Sequence, residues 1–178
     1  MTTKLYQEEI KKAMNWIAQQ DKSIILGQSV AFAGTGCYDS LVEVPSNKKM
    51  ELPVAENLQM GLSIGMALNG FIPLSVYPRW NFLLCATDQI VNHLDKLSQI
   101  NPACNPKVII RVVVGSEKPV DPQEQHKGNF SDAFRLMAKN IDVVELDTIE
   151  SIMPAYQHAY LREDNKSSIL VEFSDFGK

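Results

Sequence analysis

KVIIRVVVG, residues 107–115, is a continuous apolar, β-branched run interrupted only by Arg111. A strand with one wet face would alternate apolar and polar residues; an unbroken run predicts a strand covered on both faces, as in parallel sheets. Short apolar runs of the same kind flank it: SIIL (23–26) before Gly27, IPLSVY (72–77), IDVVELD (141–147) and SSILVEF (167–173), with a shorter segment at Met50–Leu52. Between them lie helical patterns. Leu5, Tyr6, Ile10, Ala13, Met14 and Ile17 fall on one helical face, and helices are expected over 56–68, 80–100, 131–139 and 148–162. Strand–helix alternation predicts an α/β fold: three layers, a doubly wound, mostly parallel sheet of about six strands with helices on both faces. Strand order is not readable.

With 178 residues, the chain suits one domain, 1–178, and can bury a core without disulfide or metal staples. The formal net charge of −4 comes without a long run of one sign, which argues against a nucleic-acid surface or a polybasic membrane anchor. Cys37, Cys85 and Cys104 are widely spaced without a CxxC and read as reduced, buried thiols. No apolar run suits a signal peptide or a membrane span, so a soluble, cytoplasmic protein is expected.

In an open α/β sheet, ligands collect beyond the carboxyl ends of the strands. AGTGCY (33–38) follows the first strand but has the spacing of neither GxGxxG nor GxxxxGK[ST], so it reads as a flexible turn. LPVAENLQMGLSIG (52–65) is more specific. One acid, Glu56, opens a helix with Gly61 and Gly65 one turn apart. Each glycine costs a helix about 1 kcal/mol relative to alanine. Such a stripe lets another backbone approach closely, either inside the fold or at an interface. On position alone, Glu56 is an acid favourably placed by the helix dipole.

Glu56 followed by Gly-Leu-Ser-Ile-Gly resembles the pyrimidine-binding domain of thiamine-diphosphate enzymes, in the transketolase and 2-oxo-acid dehydrogenase beta-chain branch. The resemblance extends through ALNGFIPLSVYPRWNFLLCATDQIVN (67–92), with its Asn81–Phe82 pair and Asp88–Gln89, to VIIRVVVG and QEQHKGNFSDAF (123–134). It implies that Glu56 hydrogen-bonds a ring nitrogen of the aminopyrimidine and thereby activates the cofactor. It also implies that Phe82 stacks on that ring and that His126 faces substrate or a leaving group. Without the resemblance, Phe82 would read as core packing and His126 as a solvated loop residue. Thr35, Gly36 and Tyr38 are candidates for the pocket wall, while Arg79 and Trp80 have no assigned role. His93 and His158 fall within helical patterns and read as structural.

The family's diphosphate-binding domain holds magnesium through a Gly-Asp-Gly segment and a downstream asparagine, and these 178 residues contain no such segment. The sequence stops at SDFGK, where beta chains continue into a C-terminal domain. The resemblance therefore implies a split enzyme. This subunit would share thiamine diphosphate with a separate diphosphate-binding subunit that holds magnesium, in an α2β2 heterotetramer packed through the Gly61–Gly65 helix. The reaction would be ketol transfer, or decarboxylation of a 2-oxo acid, on a small carbonyl substrate. One departure stands out: beta chains commonly carry an acid after the first-strand glycine, where LGQSV has Gln28. Two rival readings are a non-catalytic scaffold or regulatory module of the same fold, and a mononucleotide-binding flavodoxin-like protein.

Overall fold

The computed structural model describes residues 2–115 and 121–176. The expected α/β architecture is present. Six parallel strands, β1 (Ser23–Gly27), β2 (Lys49–Glu51), β3 (Ile72–Tyr77), β4 (Ile109–Val114), β5 (Ile141–Glu145) and β6 (Ser167–Phe173), form one sheet in the order β2-β1-β3-β4-β6-β5. The run at 107–115 explains the layering. Ile109 and Val113 point into a core shared with α1 (Thr2–Ala18) and α7 (Ile149–Leu161). Ile110 and Val112 point into a second core under α3 (Glu56–Leu68), α4 (Trp80–Leu83) and α6 (Ser131–Met137). Both parities of the strand are apolar because both faces are covered.

Arg111 departs from that pattern yet is buried. Its guanidinium grips Glu172 of β6 through Nε–Oε1 (2.8 Å) and Nη2–Oε2 (2.9 Å), and donates to Ser40 Oγ at 2.8 Å. Tyr156 of α7 donates to Glu172 Oε1 at 2.6 Å. The two charges inside apolar strands therefore neutralise each other across the β4–β6 ladder.

Three expectations need correction. The helix predicted over 80–100 is broken into α4, a 3₁₀ turn Leu84–Ala86, a π-helical segment Gln89–Leu94 and a last turn, α5 (Leu97–Ile100). The apolar period survives, but Asp95 is wholly buried and accepts from the main-chain N–H of Asn140 at 2.7 Å, which fixes the segment to the loop before β5. Its own N–H reaches back five residues to Ile90 O, the π-type bond. The first loop is also more ordered than a flexible turn: Thr35 caps the one-turn helix α2 (Gly36–Asp39), its hydroxyl accepting from Tyr38 N. Of the three cysteines, only Cys37 is buried; Cys85 is exposed and Cys104 lies between. Of the predicted 116–129 loop, residues 116–120 lie outside the described residues, and 121–129 is irregular apart from a 3₁₀ turn at Glu124–His126. Among the described residues no helix is long and apolar enough to cross a membrane.

The topology also marks a position for chemistry. From β1 the chain moves outward to β2, then crosses back to place β3 on the other side of β1. That reversal opens a crevice beyond the carboxyl ends of β1 and β3, where ligands bind in sheets of this kind.

Candidate functional site

Glu56 is the first residue of α3, and the crossing from β2 to β3 delivers it to this crevice. It is 9% exposed. Residues from both flanking strands hold it. Gln28, immediately after β1, donates its side-chain amide to Glu56 Oε1 at 3.0 Å. Tyr77, the last residue of β3, donates its hydroxyl to the Glu56 main-chain oxygen at 3.3 Å. Burial pushes the Tyr77 phenol above its ordinary range, with the Glu56 charge adding to the shift, so it stays protonated and able to donate. No described residue hydrogen-bonds Oε2.

The supports of this arrangement are built into the backbone. Gly27 sits at φ +147°, and a Cβ there would lie 2.4 Å from Val76 O on β3 and 3.0 Å from Gln59 Nε2, so only glycine fits. Gln59 of α3 donates to that same Val76 oxygen at 2.9 Å and to Ser75 Oγ at 3.0 Å, pinning the helix over β3. On the other flank of residue 28, Glu51 at the end of β2 accepts three successive main-chain N–H groups, Ser29 at 2.7 Å, Val30 at 2.8 Å and Ala31 at 2.7 Å. Ser29 takes up φ 58° within this turn.

Phe82 and His126 meet at the neighbouring strand ends. Their rings lie edge to face with centroids 5.2 Å apart. Phe82 is on α4, directly after β3; His126 belongs to the turn beyond β4. Arg79 joins the two regions, its Nη1 donating to Gly115 O at 2.7 Å and to His126 O at 3.2 Å. Two atoms here are buried without a hydrogen-bond partner among the described residues, His126 Nδ1 and Asn81 Oδ1. Buried polar side-chain atoms are ordinarily hydrogen-bonded. No hydrogen bond or ring contact joins Glu56 to Phe82 or His126; what relates them is the shared carboxyl end of the sheet, with α3 packed on the turn after α4.

The remaining candidates separate from this group. Thr35 and Gly36 line a cavity of about 630 Å³ that α1, Arg79, Arg111 and the end of β6 also bound. Tyr38 lies under Lys49, whose Nζ is 5.8 Å from its ring centroid. His93 is exposed, 3.8 Å from Asp88 Oδ2, and His158 is exposed on α7. Trp80 is wholly buried and packs on Phe134 with centroids 5.1 Å apart, which makes it core. Sequence reading did not find Gln28 as the partner of Glu56, Tyr77 as its main-chain anchor or Arg79 as a clamp. The nearest signal was the amide at position 28, where the family resemblance implies an acid.

Along α3, Gly61 and Gly65 share one face with Leu58 and Leu68, which are 60% and 47% exposed. A Cβ on Gly65 would meet nothing within 4 Å, and one on Gly61 would make only an ordinary 3.6 Å contact with Gln89 Oε1. Among the described residues, nothing packs closely enough to require either glycine.

No family model matches the chain. The pyruvate dehydrogenase E1 component subunit beta of Gracilaria tenuistipitata var. liui is 33% identical over 102 residues, 54% of this chain and 31% of that protein. The 3-methyl-2-oxobutanoate dehydrogenase subunit beta of Mycobacterium tuberculosis is 29% identical over 86 residues, 45% of this chain and 24% of that protein. The chain thus spans about a third or less of the length of these relatives. Two solved structures share the fold over 95% of the chain. One, described as a split gene transketolase in an inactive beta4 tetramer, has a TM-score of 0.69 at 15% identity and is covered over 51% of its length. The transketolase of Campylobacter jejuni has a TM-score of 0.72 at 14% identity, with 25% covered. The resemblance read from the sequence is borne out in both respects: similarity to beta subunits of 2-oxo-acid dehydrogenases, and the fold of transketolases.

Proposed function

We propose that the chain acts as one pyrimidine-binding domain, the subunit of a split thiamine-diphosphate enzyme that supplies the activating glutamate. The observation that carries this reading is the setting of Glu56, buried at the switch crevice with one carboxyl oxygen held by Gln28 and the other without a hydrogen bond from any described residue. The residues present fit the pyrimidine end of the cofactor. Glu56 Oε2 is available to a ring nitrogen, the half-buried Phe82 offers a stacking ring, and Asn81 Oδ1 and His126 Nδ1 are buried polar atoms with no hydrogen-bond partner among the described residues. When bound, thiamine diphosphate supplies the electron sink for making and breaking carbon–carbon bonds beside a carbonyl.

The chain's own residues have separate tasks. Glu56 would share a proton with a bound aminopyrimidine ring, and its low exposure keeps water from competing. Phe82 orients the ring by stacking, and His126, held through its main chain by Arg79, faces a small carbonyl substrate. The reaction class is ketol transfer or 2-oxo-acid decarboxylation. In this reading magnesium and the diphosphate are held by a second, diphosphate-binding subunit. The Leu58–Gly61–Gly65–Leu68 face of α3 is the proposed contact within an α2β2 heterotetramer. Exposed apolar side chains flank a strip where two backbones can approach, a combination the isolated fold does not need.

Calorimetry tests the division of labour. Mixed with a diphosphate-binding chain carrying a Gly-Asp-Gly segment and a downstream asparagine, the chain should form an assembly that takes up thiamine diphosphate with magnesium, while this chain alone takes up neither. Tight uptake of both by the isolated chain would contradict the proposal.

A further inference from the structure

We infer that Gln28 is a positioning residue for Glu56: its amide holds Oε1 and leaves Oε2 for the cofactor ring, without bringing a second ionisable group to the site. The inference rests on the reading of Glu56 given above and deepens it. An ionised carboxyl group only accepts hydrogen bonds, so the amide nitrogen is the end of Gln28 that must face it, as the 3.0 Å Nε2–Oε1 contact shows. A single donor to one oxygen fixes the rotation of the carboxyl group and so determines which oxygen is free.

Residue 28 is itself held from both sides. Gly27 is locked against Val76 O, and the three N–H groups after Gln28 are bound by Glu51. Its Cα therefore cannot drift from the start of α3. The other elements around Glu56 bring little competing charge. From β3 comes the protonated Tyr77 phenol, bonded to the Glu56 main chain; from β2 comes Glu51, whose two oxygens accept three loop amides. The turn after α4 brings only Cys85, which is exposed, and the π-helical segment brings Gln89 beside Gly61. The adjacent Asp88 and His93 are both exposed and lie within reach of each other. Gln28 thus gives Glu56 an uncharged partner. An acid at position 28 would instead put two carboxyl groups about 3 Å apart, close enough to share one proton and to release protons in two separated steps.

The test is an NMR pH titration of the labelled 178-residue chain, which needs no cofactor. The Gln28 side-chain N–H signals should follow a single ionisation with pH, and that response should vanish in Glu56→Gln. In Gln28→Glu, an isosteric change in a half-buried position, the carboxyl carbon of residue 56 should move in two steps. An unresponsive Gln28 amide, or one-step behaviour in Gln28→Glu with the fold intact by its amide spectrum, overturns the inference. A second arm uses the assembly with its diphosphate-binding partner. There Gln28→Leu should slow thiazolium proton exchange by about tenfold or more while leaving thiamine-diphosphate affinity within about twofold of the natural chain. Equal loss of both marks a merely structural role and overturns it. If the Gln28 amide responds as expected but Glu56→Gln still supports full exchange, the cofactor reading fails, and with it the purpose assigned to Oε2.

Discussion

Arg79 directs its charge to two main-chain oxygens, Gly115 O and His126 O, and so fixes the end of β4 against the turn that carries the histidine. Hydrogen bonds from charged donors contribute about 1.5–3 kcal/mol each. Arg79→Met should therefore cost about 2 kcal/mol in urea unfolding and speed amide exchange at residues 124–127 by an order of magnitude. Unchanged exchange would mean that the turn holds itself. Such roles explain what the sequence could disclose at this scale. Glu56, Phe82 and His126 lie within the stretches that carry the family resemblance, and it is the resemblance, not their local spacing, that singles them out. Gln28 and Arg79 act on partners 28 and 36 or more residues away, and no spacing rule announces a hydrogen bond to a distant main-chain oxygen.

Helix α3 and the broken segment after it differ in legibility for the same reason. The start of α3 coincides with its acid, and its period is clean. The segment 80–100 keeps a helical period, but the buried Asp95 and its bond to Asn140 N impose a π-type turn that periodicity cannot reveal. The glycines of α3 give a prediction with opposite signs in two settings. In the isolated chain, Gly65→Ala adds a Cβ that meets nothing and removes backbone freedom from the unfolded state, so stability should rise by about 0.5–1 kcal/mol. In the assembly with the partner, the same methyl group should weaken association, and Gly65→Leu should abolish it in analytical ultracentrifugation. Destabilisation of the isolated chain by Gly65→Ala would return the stripe to internal packing.

Across the whole molecule, strand and helix alternation gave the layers, whereas the order β2-β1-β3-β4-β6-β5 depends on long-range pairing with no local signature. The Arg111–Glu172 pair shows this most plainly. Each charge looks like a flaw in an apolar run, and each is explained by the other, 61 residues away. Glu172→Gln should strand the buried guanidinium and cost about 3 kcal/mol. The same region predicts a response to base. Burial first, and then the nearby Glu172 charge, raises the phenols of Tyr156 and Tyr6 above the ordinary 10.0. An unfolded chain would ionise them near that value while the folded chain keeps them neutral. Their contribution to stability is thus complete below pH 10 and is lost as pH rises beyond it, so the urea midpoint should fall between pH 9 and 11. The central claim, a glutamate from this chain acting on a cofactor gripped by another, is tested most directly by thiazolium proton exchange in the assembly of both chains. With Glu56→Gln the exchange rate should drop by at least about a hundredfold while the assembly stays intact; exchange at the natural rate would contradict the account.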